Sequence, residues 1–559
     1  MHTILIYLTP DLPSLPPSRL ARALIRRRLR DLPLLLLAGA LLLPILAVLG
    51  SWLSWNAASG QILREMGATV LPDYALTSIV LCIAVAAGAA LVGTAAAATV
   101  TLFDFPGRRT FEWALLLPLA MPAYVVAYAY TDFLQFGGPL QTWIRSHFGL
   151  EGRVFPEVRN LPGAVGVFVF SLYPYVYLLV RTALAERAAQ LMEAARLLGA
   201  PLARRIRSVA LPLARPAITA GVALALMETL ADFGVASYFG IQTFSTGIYK
   251  AWLAMDNRIA AAQLATLLLA VVAVLLALEM RAQQRLRFAA GRSRGGADAQ
   301  PARLHGRTRV AAWAVCGLPI LFGFVLPLAF MLRPLAADWS VLPWDRFLNW
   351  AFNSLRLGAI SAVLAVLVAL LLAYRLRRAP SGVARGVVQL AGLGYAVPGT
   401  VLVVGLLLPV GWLQSTWPQS GVGYWMTATI VGIVWAYLVR FVSVALQSVQ
   451  SGYARIPGSL DDSARMLGTG GAALLARVHW PLLKRSAAAA ALLVFVDVMK
   501  ELPATLVLRP FNSDTLAVVA YQLARDERLG EAALPSLALV LVGLVPVILL
   551  SRTLRAGSR

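Results

Sequence analysis

Apolar residues in this chain neither alternate with polar ones, as in a strand, nor keep to one helical face. They come in unbroken runs about as long as a bilayer is thick. A hydrocarbon core of about 30 Å needs roughly 20 helical residues. Twelve runs approach that length, near 33–54, 77–103, 112–130, 162–182, 216–240 and 259–280, then 312–332, 354–376, 386–410, 425–448, 486–508 and 532–551. The pattern predicts an all-α integral membrane protein of twelve transmembrane helices. The first run is not expected to be a cleavable signal, because about 30 polar, proline-bearing and basic residues precede it and no small-residue cleavage site ends it.

Composition removes the soluble alternatives. Of 559 residues, 59% are hydrophobic and 13% charged, against about 25% charged in an ordinary soluble domain. The 49 basic and 26 acidic side chains leave +23. A nucleic-acid binder would gather that charge as a stripe on a polar domain. Here the basic residues punctuate apolar runs, so no nucleic-acid partner is expected. With the N-terminus in the cytoplasm, the even span count places 36 of the 49 on the inner side. They fall in the tail, the short loop at Arg108 and Arg109, the segments 181–215, 281–309, 375–385 and 440–485, and the C-terminus. This positive-inside bias predicts a multi-pass protein with both termini cytoplasmic. Cys82 and Cys316 lie within apolar runs and read as small buried hydrophobes.

The chain also repeats itself. Ala120-Met121-Pro122-Ala123 corresponds to Ala396-Val397-Pro398-Gly399 at an offset of 276. Glu193-Ala194-Ala195, Gly199, Val209, Leu211 and Pro212 correspond to Asp462-Ser463-Ala464, Gly468, Val478, Trp480 and Pro481 at an offset of 269. Two parallel six-helix halves follow, related by an axis along the membrane normal. The expected organisation is a basic cytoplasmic tail (1–31), a first half (32–280, core about 74–280), a basic linker (281–311) and a second half (312–559, core about 350–551).

The loop after the fourth span of each half is the most specific motif. Its first part favours helix, Gly199 suits a break at positive φ, Pro201 can start a second short helix, and Leu211-Pro212 closes it. Small Ala194 and Ala195 would let a partner approach. The pattern resembles the E-A-A-x3-G-x9-I-x-L-P loop of ABC importer permease subunits, of the type I fold. That resemblance implies coupling loops, at Glu193, Ala194, Ala195, Gly199, Leu211 and Pro212 and at Asp462, Ser463, Ala464, Gly468, Trp480 and Pro481. Two copies of a cytoplasmic ATPase subunit would dock there, with ATP and Mg2+ held on that partner. No cofactor is expected on this chain. A phosphate-binding loop needs a glycine before its lysine, but Tyr249, Leu483 and Met499 precede Lys250, Lys484 and Lys500, the chain's three lysines. It is expected to be a transport subunit, not an enzyme.

Ionisable residues inside a span are costly and functional by default. Glu228 and Asp232 are four apart, expected on one face of the fifth span, and the 269 offset carries them onto Asp497 and Glu501. At 1.5 Å per residue from Pro216 they lie about 18 and 24 Å along the helix, from mid-bilayer outward. The pairs would meet near the axis as a translocation path for a cation, without a stable metal site, or they would cap broken helices and pair with Lys500 or Arg509. Tyr173, Tyr175 and Tyr177 could line the path or pack between helices, and His479 is expected to pack at the interface. Around the carboxylates, Met227–Gly234 with Gln242–Trp252, and Val496–Phe511, look like the two halves of fused ferric-iron permeases. The resemblance implies an inner-membrane permease receiving Fe3+ from a periplasmic binding protein that docks on outer loops such as 131–161 and 509–531. Thiamine, polyamine and phosphonate permeases share the architecture. A twelve-span, ion-gradient-driven transporter shares the span count but needs no matched pair of such loops. A membrane enzyme would need a clustered constellation, whereas His2, His147, His305 and His479 are scattered.

Overall fold

The computed structural model describes residues 17–54, 57–185, 189–290, 301–337, 339–340 and 342–556. Parts of the expected tail (1–16), linker (291–300) and first coupling loop (186–188) lie outside the described residues. The chain is a bundle of long apolar helices, as expected where the bilayer leaves every backbone group to be satisfied internally. We label the principal ones α1 (Pro17–Gly50), α2 (Leu71–Leu102), α3 (Ala123–Leu134), α4 (Leu161–Ala183), α5 (Leu211–Ala231) and α6 (Arg258–Ala290). Then come α7 (Arg307–Ile320, continuing through a π turn into Leu326–Ala337), α8 (Trp344–Arg378), α9 (Gly399–Thr416), α10 (Val431–Tyr453), α11 (Trp480–Lys500) and α12 (Leu529–Ala556). Among the described residues, ten helices are long and apolar enough to cross a membrane, or eleven with one bent pair. The remaining predicted span, α11, has 21 residues but carries Lys484, Arg485, Asp497 and Lys500.

Four predicted spans are interrupted, at equivalent places in the two halves. The run 112–130 breaks at Met121-Pro122, where the segments on either side meet at 88°. The run 386–410 breaks at Val397-Pro398, between a 3-10 turn and α9. The cause is local: a residue before proline is driven from the helical region, and Met121 and Val397 are both extended (ψ 121 and 120). The runs 216–240 and 486–508 end early, at Ala231 and Lys500, because Asp232 and Glu501 turn to extended ψ of 130 and 123.

The two sequence halves interlock. One apolar core joins α2, α3 and α4 to α7 and α12, and the other joins α8 to α11 with α1 and α6. Thus α1 packs on α9, and α7 packs on α2 and α3. At the first of these contacts Gly405 lies against the Pro44 backbone, where a Cβ would come within 2.1 Å of the carbonyl oxygen, so only a glycine permits that approach.

Candidate functional site

Where α5 and α11 break, a cavity of about 350 Å³ opens between the halves, lined by Glu228, Asp232, Asp497 and Glu501 together with Arg440, Lys500, Tyr124, Tyr175 and Tyr395. The four carboxylates share this one cavity but not one role. Asp232 accepts the Val235 N–H at 2.8 Å. Glu501 accepts the N–H groups of Ala504 and Thr505, each at 2.9 Å, and the Thr505 hydroxyl at 2.6 Å. Both therefore cap the short helices that follow, Gly234–Tyr238 and Pro503–Leu508, satisfying backbone donors that have no water to turn to. The expectation that each pair lies on one helix face is corrected: only Glu228 and Asp497 are within their helices. These two are half-buried on the cavity wall and make no hydrogen bond among the described residues.

The cations also differ from the sequence reading. Arg509 pairs with Asp514 at 2.7 Å, and the Lys500 ammonium donates to the Leu119 carbonyl at 2.8 Å. The partner of Glu501 is Arg440, 3.5 Å away and only 9% exposed. The 269 offset places Ser171 at the position of Arg440 and Ala231 at that of Lys500. The four acids are duplicated and the two cations are not, so acidic groups outnumber basic ones around the cavity. In a water-poor site that imbalance favours a cationic occupant. Among the described residues, no group of three or more His, Cys, Asp or Glu side chains could hold a metal ion.

The tyrosines divide. Tyr173 and Tyr177 are fully buried and donate to the Leu115 and Glu112 carbonyls, so they pack between helices, whereas Tyr175 faces the cavity. From the cavity a chain of contacts leads to the predicted outer loops. Tyr124 lies 5.7 Å from Tyr128, Tyr128 4.7 Å from Tyr238, and the Arg159 guanidinium 5.0 Å from the Tyr238 ring. Arg159 then donates to both Glu527 oxygens, at 2.8 and 2.7 Å, joining loop to loop. Tyr249 donates to the Pro503 carbonyl and Ser237 meets Tyr521 at 2.8 Å, so the halves are closed together on that side.

The two loops match in detail. Helix Ala189–Leu197 ends at Gly199 and helix Gly458–Met466 at Gly468, both glycines at φ +76. Ala200 N–H bonds the Ala195 carbonyl and Thr469 N–H the Ala464 carbonyl, the wrap-around closure that needs a left-handed residue. Glu193 pairs with Arg196 at 3.8 Å and Asp462 with Arg465 at 3.3 Å. Ala194 and Ser463 are exposed, Ala195 half-buried and Ala464 buried. The segment after Gly199 is not closed by Leu211-Pro212. It runs through a π turn (Ile206–Ala210) into α5, and Gly471–Leu474 runs likewise through Leu475–His479 into α11 at Trp480-Pro481. A proline in a first helical turn lacks only an N–H that would be unpaired anyway. His479 is fully buried, packed against the Tyr374 and Tyr453 rings and 2.9 Å from Asp461. Sequence reasoning missed the most exposed apolar groups of these loops. Leu197 and Leu198 are 82% and 87% exposed, and their equivalents Met466 and Leu467 are 89% and 85%. The signal was an apolar pair directly before each glycine.

Residues 89–287 match the family of binding-protein-dependent transport system inner membrane components. The chain is 25% identical over 492 residues, 85% of its length and 88% of the other, to the Fe(3+)-transport system permease protein FbpB 2 of Haemophilus influenzae. It is 23% identical over 497 residues, 84% of its length and 85% of the other, to the probable ABC transporter permease protein y4fN of Sinorhizobium fredii. With the putative 2-aminoethylphosphonate transport system permease protein PhnU of Salmonella paratyphi A it shares 27% over 282 residues, 48% of this chain and 92% of that one. The apolar helices, the matched domain and the similarity along most of the length are those of an inner-membrane permease of a binding-protein-dependent ABC transporter.

Proposed function

We propose that the chain supplies both membrane halves of an ATP-driven importer with twelve spans and both termini in the cytoplasm. Its two loops each dock one copy of a cytoplasmic ATPase, and its cargo is Fe3+ delivered by a periplasmic binding protein. The observation that carries the docking is the duplication itself: two loops with the same glycine geometry, the same acid–arginine pair and the same exposed apolar pair. An isolated amphipathic connector lying on headgroups has no reason to be repeated so closely.

In this mechanism the chain performs no covalent chemistry. ATP-driven closure of the partner subunits brings the two loops together, and the interlocked cores carry that movement to the contacts between Tyr124, Tyr238, Arg159 and Glu527. Opening those contacts exposes the cavity to the binding protein. Glu228 and Asp497, which have no hydrogen-bonding duty in the fold, stabilise the passing cation. Asp232 and Glu501 hold the helix breaks that make room for it. Thiamine and polyamines are also cations and fit the same wall. An oxyanion such as a phosphonate does not, because acids outnumber bases there.

Co-purification tests the docking. Glu193→Arg with Asp462→Arg should release an ATPase subunit that otherwise stays bound through detergent purification. Retention in the double variant, or uptake that needs no ATPase but collapses with an uncoupler, would overturn the reading.

A further inference from the structure

The loops match on their outer surface but not in what anchors them. The second is tied down by a buried polar network. Asp461, 6% exposed, accepts from Arg377 Nε at 2.8 Å and Nη2 at 3.1 Å, and lies 2.9 Å from His479 Nε2. His479 Nδ1 is 3.2 Å from the Tyr453 hydroxyl. The same Arg377, at the end of α8, donates Nη1 to the Ile456 carbonyl at 2.9 Å and Nη2 to the Pro457 carbonyl at 3.1 Å. Tyr374, one helical turn earlier, donates to the Gly471 carbonyl at 2.6 Å. One arginine thus reaches the residues leading into the docking helix and the carboxylate on that helix.

Among the described residues, the matching positions of the first half carry no such network. The 269 offset carries Tyr453, Asp461 and His479 onto Leu184, Met192 and Ala210, and the 276 offset carries Arg377 onto Thr101. Leu184, Met192 and Ala210 are 2%, 7% and 3% exposed and belong to one apolar core. The repeat therefore contains two solutions to one problem, packing in one half and a charged network in the other.

We infer that Arg377 and Asp461 are positioning residues that set the pose of the second docking loop, and that the matching positions of the first loop are held by apolar packing. The consequence is functional inequality. A buried charge network is directional and breaks as a unit when one member is lost. An apolar contact yields gradually. The second docking contact thus has one defined pose and fails sharply, whereas the first tolerates adjustment. This deepens the docking proposal and rests on it for its meaning, but the anchoring itself can be tested on the isolated chain.

The experiment is hydrogen–deuterium exchange on the full chain in detergent, followed by retention of the co-expressed ATPase subunit. Arg377→Gln and Asp461→Asn should each raise exchange in helix Gly458–Met466 by about tenfold or more, leaving helix Ala189–Leu197 unchanged. The quadruple variant Arg377→Thr, Tyr453→Leu, Asp461→Met and His479→Ala installs the residues of the first half and should restore slow exchange. A general folding defect would not be repaired by four substitutions. Unchanged exchange in the single variants, or equal acceleration in both loops, overturns the inference. If exchange behaves as expected but the ATPase stays bound in Glu193→Arg with Asp462→Arg, the anchoring stands and the docking proposal falls.

Discussion

Glu501→Ala is the most informative single perturbation of the cavity. The carboxylate accepts three hydrogen bonds, from two backbone N–H groups and the Thr505 hydroxyl, and faces Arg440 at 3.5 Å while only 5% of the residue is exposed. Removing it orphans the start of helix Pro503–Leu508 and takes from the buried Arg440 guanidinium the carboxylate it pairs with, a loss of about 3–5 kcal/mol. Asp232→Ala removes the equivalent cap, but that carboxylate accepts from Val235 with no arginine beside it, so the cost is about 1 kcal/mol. Thermal unfolding in detergent ranks the variants, each kcal/mol shifting the midpoint by about 2–4 °C in mid-sized chains and less in longer ones. Because Ser171 stands where the other half has Arg440, Glu501→Ala with Arg440→Ser should recover part of the loss. Equal midpoints for Glu501→Ala and Asp232→Ala, or a double variant worse than Glu501→Ala, would refute the reasoning.

Glu228→Gln with Asp497→Asn should leave the unfolding midpoint within about 2 °C of the parent, since neither carboxylate holds the backbone, while radio-iron uptake falls by about tenfold or more. Leu197→Asp with Met466→Asp should abolish ATPase retention on a size-exclusion column without changing the midpoint, because all four apolar side chains of the two pairs already face outward. Arg159→Ala should cost no more than about 1 kcal/mol as a largely exposed pair, but should raise thiol labelling of an Ala236→Cys reporter, buried on the same short helix as Tyr238, reporting a loosened closure. Arg377 bonded to Asp461 holds that carboxyl below the usual aspartate range. A depressed pKa gives stability that is present above the unfolded value and lost as pH falls through the folded one. Limited pepsin digestion should therefore spare the loop 458–479 until the pH drops below about 3.9, and Arg377→Gln should move that onset upward.

What was legible in the sequence was set by spacing and hydropathy. The apolar runs located the helices, the matched motifs located the repeat, and the offset of 269 brought four acids to one place. The breaks at Pro122 and Pro398 were present as a repeat marker, but hydropathy is blind to where a run bends. Asp232 and Glu501 read either as wall residues, since i, i+4 spacing assumes a continuous helix, or as caps of broken helices; the chain leaves helix at both, and both cap the helix that follows. Arg440 counts among the basic residues of the inner segment 440–485, but it lies inside α10 on the cavity wall, and its partner is 61 residues away. The interlocking of the halves, with α1 on α9 and α7 on α2, depends on contacts between distant segments that no local pattern encodes. Leu197 and Leu198 looked like one more apolar pair until Gly199 turned them outward.

The central claim is that two duplicated loops let a separate ATPase drive a cation through an acidic cavity. Proteoliposomes containing this chain, its co-purified ATPase subunit and the loaded binding protein test it directly by radio-iron uptake with ATP enclosed. Uptake that requires ATP, resists an uncoupler and disappears in Glu193→Arg with Asp462→Arg is the predicted result. Uptake without ATP that is abolished by the uncoupler would contradict it.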